Sequence, residues 1–397
     1  MIEARQFVEP ARERGFSWYA GVPCSYLTPF INYVLQDESL HYVSMANEGD
    51  AVALIAGVAL AESEGAPRRR GVVMMQNSGL GNAVSPLTSL TWTFCLPQLL
   101  IITWRGQPGV PDEPQHALMG PITPGLLELM EIPWELFPTE IDAIGPALDR
   151  ATAYMDETGR PYALVMQKGS VADYPLRPGT SLSGRRNSVS AAPLIQPLRV
   201  APPARPSRQQ ALREVVAHTS MTATAVLAST GFCGRELYAV ADRPNHLYMV
   251  GSMGCVVPLA LGLALARPDL EVLALDGDGA ALMRMGAFAT VGTYGPKNLR
   301  HLLLDNGAHD STGGQATVSP QVSFAQIASG CGYASSVETD DVGQLAGWLN
   351  APSEEGPKFA RLLTGAGTPR DLPRPSISPI EVKTRLMRHF GRGAGIH

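Results

Sequence analysis

From Glu271 to Gly286 the chain reads EVLALDGDGAALMRMG, and from Arg300 to Gly307 it reads RHLLLDNG. Both stretches open with an uninterrupted apolar run and close on acidic or amide residues followed by glycine. Runs apolar throughout, rather than alternating, are the mark of strands covered on both faces, as in a parallel sheet. Working outward, AVLAS from Ala225 and HLYMV from His246 repeat the pattern, with helices expected near Arg235, Pro258, Leu282 and Phe324. In the first half the strand candidates are HYVSM from His41, GVVMMQ from Gly71, QLLIITW from Gln98 and YALVMQ from Tyr162. Helix candidates between them are 48–62, 80–90 and 141–156. Two doubly wound α/β domains with parallel sheets follow, and ligands are expected beyond the carboxyl ends of their strands.

Between the halves, composition shifts to VADYPLRPGTSLSGRRNSVSAAPLIQPLRVAPPARPS from Val171. This stretch is rich in Pro, Ser and Arg without periodicity, and reads as a linker draped over the surface. The expected organisation is therefore a domain over 1–172, a linker over 173–207 and a second domain over 208–397, with no segment long enough for a middle domain.

The chain has 397 residues, long enough for full cores without staples. Lys+Arg 31 against Asp+Glu 36 leaves a net charge of −5, with no basic excess to neutralise phosphates, which argues against a nucleic-acid partner. Five cysteines without a C-x-x-C pair point to a reducing, cytoplasmic setting rather than a disulfide frame. The N-terminal MIEARQFVEPARERG lacks the apolar core of a signal peptide. The charge-free run MVGSMGCVVPLALGLALA from Met249 reads as a loop feeding a buried helix, not a membrane span. Gly 40 and Pro 33 together make 73 residues, a glycine excess that suggests backbone close to a ligand.

The two strand ends offer a carboxylate, Asp278, and an amide oxygen, Asn306, about 28 residues apart. Hard oxygen donors of this kind suit Mg²⁺, which keeps phosphate oxygens and water among its ligands. A dinucleotide fingerprint fits poorly, since GDGAAL lacks the third glycine. Taken alone, G-D-G is a tight turn. Paired with the later DN, it resembles the diphosphate motif of thiamine diphosphate (ThDP) enzymes. That resemblance implies Mg²⁺ held by Asp278, Asn306 and the Ala308 carbonyl, with Gly277 and Gly279 admitting the diphosphate. The family usually has Asn-Asn where this chain has Asp305-Asn306.

ThDP chemistry needs an acid against the aminopyrimidine ring, in an apolar setting that suits proton exchange near neutrality. Glu48, which opens the helical GDAVALIAGVALA, fits that role; a helix-start glutamate favoured by the helix dipole is the bland alternative. Gly251-Ser252-Met253-Gly254 resembles the family's G-S-[bulky]-G element. The resemblance makes Met253 the wedge that bends the cofactor and the Gly251 carbonyl the acceptor of its amino group.

GVPCSYLTP from Gly21, QNSGLGNAVSPLTSL from Gln76, TWRGQPGVPDEPQH from Thr103, GDGAALMRMG from Gly277 and HDSTGGQATVS from His309 together resemble the phosphonopyruvate decarboxylase family. Sulfopyruvate decarboxylases share part of the pattern. The resemblance implies a pyrimidine-binding domain first and a diphosphate-binding domain second. It further implies decarboxylation of 3-phosphonopyruvate to phosphonoacetaldehyde and CO₂ through a ThDP ylide and enamine, in phosphonate biosynthesis. Each active site would lie between two subunits, so a homodimer or larger assembly is expected.

Within that frame, the phosphonate is expected to meet Arg105, whose fork can donate twice to it, and donors from Ser25, Ser78, Ser311 and Thr312. Asn77 and Asn82 flank SGLG and are further candidates for contact. His309 and His116 are candidate proton donors. Alternatives are a sulfopyruvate or other 2-oxo acid decarboxylase and, more distantly, a non-catalytic ligand-binding α/β protein; the latter predicts loss of Glu48, Asp278 or Asn306, and all three are present.

Overall fold

A computed structural model describes residues 1–62, 68–180, 205–353 and 355–391, and the backbone of 194–195. The chain divides into two compact units, Met1–Gly184 and Arg185–His397.

The first unit is built on a six-stranded parallel sheet: β1 (Phe16–Gly21), β2 (His41–Ser44), β3 (Arg70–Gln76), β4 (Leu99–Thr103), β5 (Trp134–Leu136) and β6 (Tyr162–Met166). Their order is β2-β1-β3-β4-β6-β5. The strand interiors are buried on both faces, as the continuous apolar runs predict. Helix Glu48–Leu60 is buried on nearly every side after its first residue, so it is a core helix rather than an amphipathic cover. The helix expected over 80–90 holds only for Leu80–Pro86. It then widens into a π-turn over Leu87–Thr91, runs on as Trp92–Phe94, and stops at Cys95, whose φ is +52°.

The second unit carries β7 (Leu194–Ile195), β8 (Thr224–Ala228), β9 (His246–Tyr248), β10 (Glu271–Gly277), β11 (Leu299–Asp305), the short antiparallel pair β12 (Ala308–His309) and β13 (Gln315–Ala316), then β14 (Ser335–Thr339) and β15 (Lys358–Leu363). The seven-stranded sheet runs β7-β14-β15-β11-β10-β8-β9. Chain order reverses between β8 and β10, which opens a crevice at their carboxyl ends. The charge-free run resolves into helix Val256–Ala266, almost wholly buried, and no helix of the described residues is long and apolar enough to cross a membrane.

β5, β7, β12, β13, β14 and β15 were not among the expected strands. β15 is buried along its whole length yet contains Lys358 and Arg361. Lys358 donates to the carbonyls of Trp348 (2.8 Å) and Ala351 (2.7 Å), and burial lowers its pKa to about 8. Arg361 lies across Asp305. Charges satisfied in this way can occupy a central strand.

The segment expected as a linker begins on the surface of the first unit. Asn32 donates to the Tyr174 carbonyl at 2.8 Å, and the Arg177 amide donates to Gln36 Oε1 at 3.1 Å. Residues 181–193 and 196–204 of it lie outside the described residues.

Candidate active site

In the second unit the strand-end residues converge on one crevice of about 160 Å³. Ser229 and Thr230 follow β8, Gly277 ends β10 and Asp278–Ala280 follow it, Asn306 follows β11, and Ala308, His309, Ser311 and Met253 also line the wall, as do Arg208 and Asp310. Gly251 and Thr312 are absent from that wall. Helix Phe232–Val240 also starts there, after Gly231 at φ +86°. The fit at Gly279 is tight: a Cβ would come within 2.5 Å of the His309 ring and 3.0 Å of the Met253 methyl. Met253 is presented by Ser252, a non-glycine residue at φ +51°. That left-handed backbone costs about 1–2 kcal/mol, and it sits beside the crevice, where strain of this kind concentrates.

Asp278 is 4% exposed and accepts a hydrogen bond from the Thr317 hydroxyl. Burial pushes its carboxyl above the ordinary range; the Thr317 bond opposes this, and the charge of Asp305 adds to it. Three neighbouring carboxylates are each matched to a guanidinium: Asp305 to Arg361, Glu236 and Asp310 to Arg208. Among the described residues no lysine or arginine pairs with Asp278. A buried carboxylate without a cation is costly unless one is supplied. The Asn306 Oδ1 and the backbone of Ala308 lie together, the Ala308 amide donating to that oxygen at 3.1 Å. The set contains one carboxylate, one amide and one carbonyl, and no cluster of three His, Cys, Asp or Glu side chains occurs among the described residues. Oxygen donors with little charge of their own suit a hard divalent ion that brings phosphate oxygens and water with it.

Asp305, standing where the resembled family usually has asparagine, faces away from this role. It is 1% exposed and accepts from Arg361 Nε (2.8 Å) and Nη2 (2.6 Å), Ser319 Oγ (2.8 Å) and the Gly307 amide (2.9 Å). It thereby fixes the turn that presents Asn306.

In the first unit Glu48 caps the carboxyl end of β2 as the first residue of its helix, with Asn47 as N-cap, accepting from the Gly49 amide at 2.8 Å. Its carboxylate accepts from Asn82 Nδ2 at 2.7 Å. Gly79 lies against it so closely that a Cβ would fall 2.5 Å from Glu48 Cγ. Within this single unit Glu48 is only half-buried, less enclosed than the apolar helix sequence suggests.

Arg105 is committed more deeply than sequence indicates. Its Nε and Nη2 grip the two oxygens of Asp112 at 2.8 and 2.6 Å, and its guanidinium lies 5.0 Å from the Tyr26 ring centre. The fork that was expected to meet the phosphonate is thus closed on a carboxylate, leaving Nη1 outside that grip. The Arg105 bond, against burial and with the Gly106 amide helping, holds Asp112 far below the usual carboxyl range. Asn77 is fully buried and donates to the Arg105 carbonyl (2.8 Å) and Thr123 Oγ1 (2.9 Å), so its amide builds the loop. Ser25 and Ser78 are exposed, Ser78 accepting from Gln76 Nε2 at 2.7 Å, and His116 is buried at 5% exposure.

Sequence reasoning missed Arg208, Asp310 and Thr317. Asp310 lies within the HDSTGGQ stretch, and Ser207–Gln210 forms a capping box that places Arg208, but neither signal names a partner.

A thiamine pyrophosphate enzyme C-terminal TPP-binding domain matches residues 230–359. The chain is 42% identical over 387 residues to a phosphonopyruvate decarboxylase of Streptomyces viridochromogenes, covering 97% of this chain and 94% of that one. It is 30% identical to a sulfopyruvate decarboxylase of Methanosarcina acetivorans, over 82% of this chain and 81% of the relative. A solved thiamine diphosphate-dependent 4-hydroxybenzoylformate decarboxylase of Rhodococcus jostii RHA1 superposes with a TM-score of 0.66 at 14% identity, over 92% of this chain and 100% of that chain, a likeness of fold.

Proposed function

The chain belongs to the phosphonopyruvate decarboxylase family of thiamine diphosphate-dependent enzymes, and from that footing we propose that it decarboxylates 3-phosphonopyruvate to phosphonoacetaldehyde and CO₂. The observation that carries the site assignment is the crevice at the β8/β10 switch point. It gathers Asp278, Asn306, Ala308, Gly277, Gly279 and Met253, and among the described residues no lysine or arginine pairs with the buried Asp278 carboxylate.

In this proposal Asp278, Asn306 Oδ1 and the Ala308 carbonyl hold Mg²⁺, and Gly277 and Gly279 leave room for the diphosphate. Met253 would support the bound cofactor, and the Gly251 carbonyl would accept from its amino group. Bound there, the cofactor supplies the electron sink that a 2-oxo acid lacks when its carboxylate leaves as CO₂. Glu48 would exchange a proton with the cofactor's aminopyrimidine ring, and Asn82 and Gly79 hold its carboxyl in one place. His309, beside Gly279 on the crevice wall, and His116 move protons on the substrate side. Ser25, Ser78, Ser311, Thr312 and the remaining donor of Arg105 hold the phosphonate.

The first unit acts as the pyrimidine-binding domain and the second as the diphosphate-binding domain. Because Glu48 and Asp278 serve one site from different chains, the working form is a homodimer or larger. Five cysteines, none in a disulfide among the described residues, fit a cytoplasmic location.

A coupled aldehyde assay with ThDP and Mg²⁺, offering phosphonopyruvate, sulfopyruvate and pyruvate in parallel, tests the assignment. Phosphonopyruvate should turn over fastest; turnover of none, with ThDP bound, overturns it.

A further inference from the structure

We propose that Arg208 and Asp310 are positioning residues for the metal end of the crevice, acting through the side-chain amide of Asn306. The inference rests on Asn306 being a Mg²⁺ ligand. An amide has two faces, one carrying the oxygen a cation needs and the other an NH₂ that repels it. Rotation by half a turn exchanges them. Here the NH₂ is committed: Asn306 Nδ2 donates to Asp310 Oδ2 at 2.6 Å. With the NH₂ held by that bond, the oxygen is left facing the other way.

Asp310 is held in turn: Arg208 Nη2 donates to the same oxygen at 2.7 Å, and the Gly367 amide adds 3.1 and 3.2 Å contacts. Arg208 is itself only 7% exposed. Burial works to lower its pKa, but Glu236 and Asp310 outweigh that and hold it above its ordinary value. Its Nη1 meets Glu236 Oε1 at 2.6 Å, and Glu236 also accepts from Thr368 at 2.9 Å. The buried Glu236 and Arg208 and the partly buried Asp310 therefore form a frame that ends on the Asn306 NH₂.

Arg208 opens the helix that follows the proline-rich stretch. Ser207 is the N-cap, and the Gly365 amide donates to the Pro206 carbonyl at 2.9 Å. The start of the Arg208–His218 helix is thus tied to the orientation of the metal ligand.

The test compares wild type with Asp310→Asn and with Glu236→Gln, titrating Mn²⁺ against each protein with ThDP present and reading free Mn²⁺ by electron paramagnetic resonance. Substitution of groups that orient a metal ligand costs about 10–100-fold in affinity, and Asp310→Asn should weaken Mn²⁺ binding by that factor. Its kcat at saturating metal should stay within about threefold of wild type, because the ligands themselves remain. Glu236→Gln, which loosens the far end of the frame but keeps the Arg208–Asp310 contact, should weaken Mn²⁺ binding by less than Asp310→Asn does. If Asp310→Asn does not fold, Asp310→Ser is read in the same way. Wild-type Mn²⁺ uptake with unchanged affinity in the Asp310 variant overturns this proposal alone; no uptake by wild type overturns the Mg²⁺–ThDP site itself.

Discussion

Replacing Gly79 by alanine separates the position of Glu48 from the stability of the fold. Gly79 has φ −68° and ψ −16°, a backbone conformation any L-residue adopts, so its lack of a side chain is not needed for the turn. What glycine permits is the approach of Glu48: an alanine Cβ would stand 2.5 Å from its Cγ and 2.6 Å from both Cδ and Oε1. Carbon atoms in contact settle at about 3.5–4.0 Å, so the carboxyl group must retreat by roughly 1 Å. That movement also stretches the 2.7 Å bond from Asn82. Misplacing a catalytic group by about 1 Å costs on the order of 100-fold in rate. The unfolded chain, meanwhile, loses freedom on gaining a Cβ, an effect worth about 0.4–1 kcal/mol in favour of the folded state. Gly79→Ala should therefore melt no lower than wild type while kcat falls about 100-fold. Exchange of the cofactor's C2 proton, followed by NMR in D₂O, should slow by a similar factor. A Gly79→Ala protein with kcat and exchange rate within threefold of wild type would refute the role given to Glu48.

Three further outcomes are expected. Arg361→Met leaves Asp305 buried with no cation and should destabilise the chain by about 3–5 kcal/mol in denaturant melts, while the Arg361→Met/Asp305→Asn pair should regain most of the loss. His246 is fully buried, and burial first, then Arg243, lowers its pKa from 6.5 to about 4. Its neutral form is the one the fold favours, so its stabilising share is complete above pH 6.5 and is lost as the pH falls towards 4. That loss amounts to about 3 kcal/mol, and His246→Gln should flatten this part of the stability profile. Mixing inactive Glu48→Gln and Asp278→Asn proteins under subunit exchange should restore activity, because a mixed dimer holds one site with both native residues; no recovery, with mixed dimers demonstrated, argues that each site is built from one chain.

Much of the fold was legible because the sheets are buried on both sides. Continuous apolar runs such as LLIIT and EVLALD have no other economical packing. KFARLL was not legible: its Lys358 and Arg361 look like surface residues until the carbonyls and Asp305 that satisfy them are seen, and those partners are distant in sequence. The crevice residues Asp278 and Asn306 could be found because strand-end glycines mark where backbone meets ligand. Arg105 shows the opposite case. An arginine after a strand end looks available for an anion, and only the fold brings Asp112 across a tight loop to occupy its fork. Asp310 and Arg208 escaped for a similar reason: an ion pair spanning 102 positions leaves no local pattern.

The claim that this is a decarboxylase for a phosphonate-bearing 2-oxo acid is met most directly by competition. Phosphonopyruvate and sulfopyruvate, mixed in equal amounts with enzyme, ThDP and Mg²⁺, report the ratio of their kcat/KM values as the ratio of aldehydes formed. Phosphonoacetaldehyde should predominate, and should vanish when either ThDP or Mg²⁺ is withheld. Predominance of sulfoacetaldehyde, or product formed equally well without the cofactors, would contradict the account.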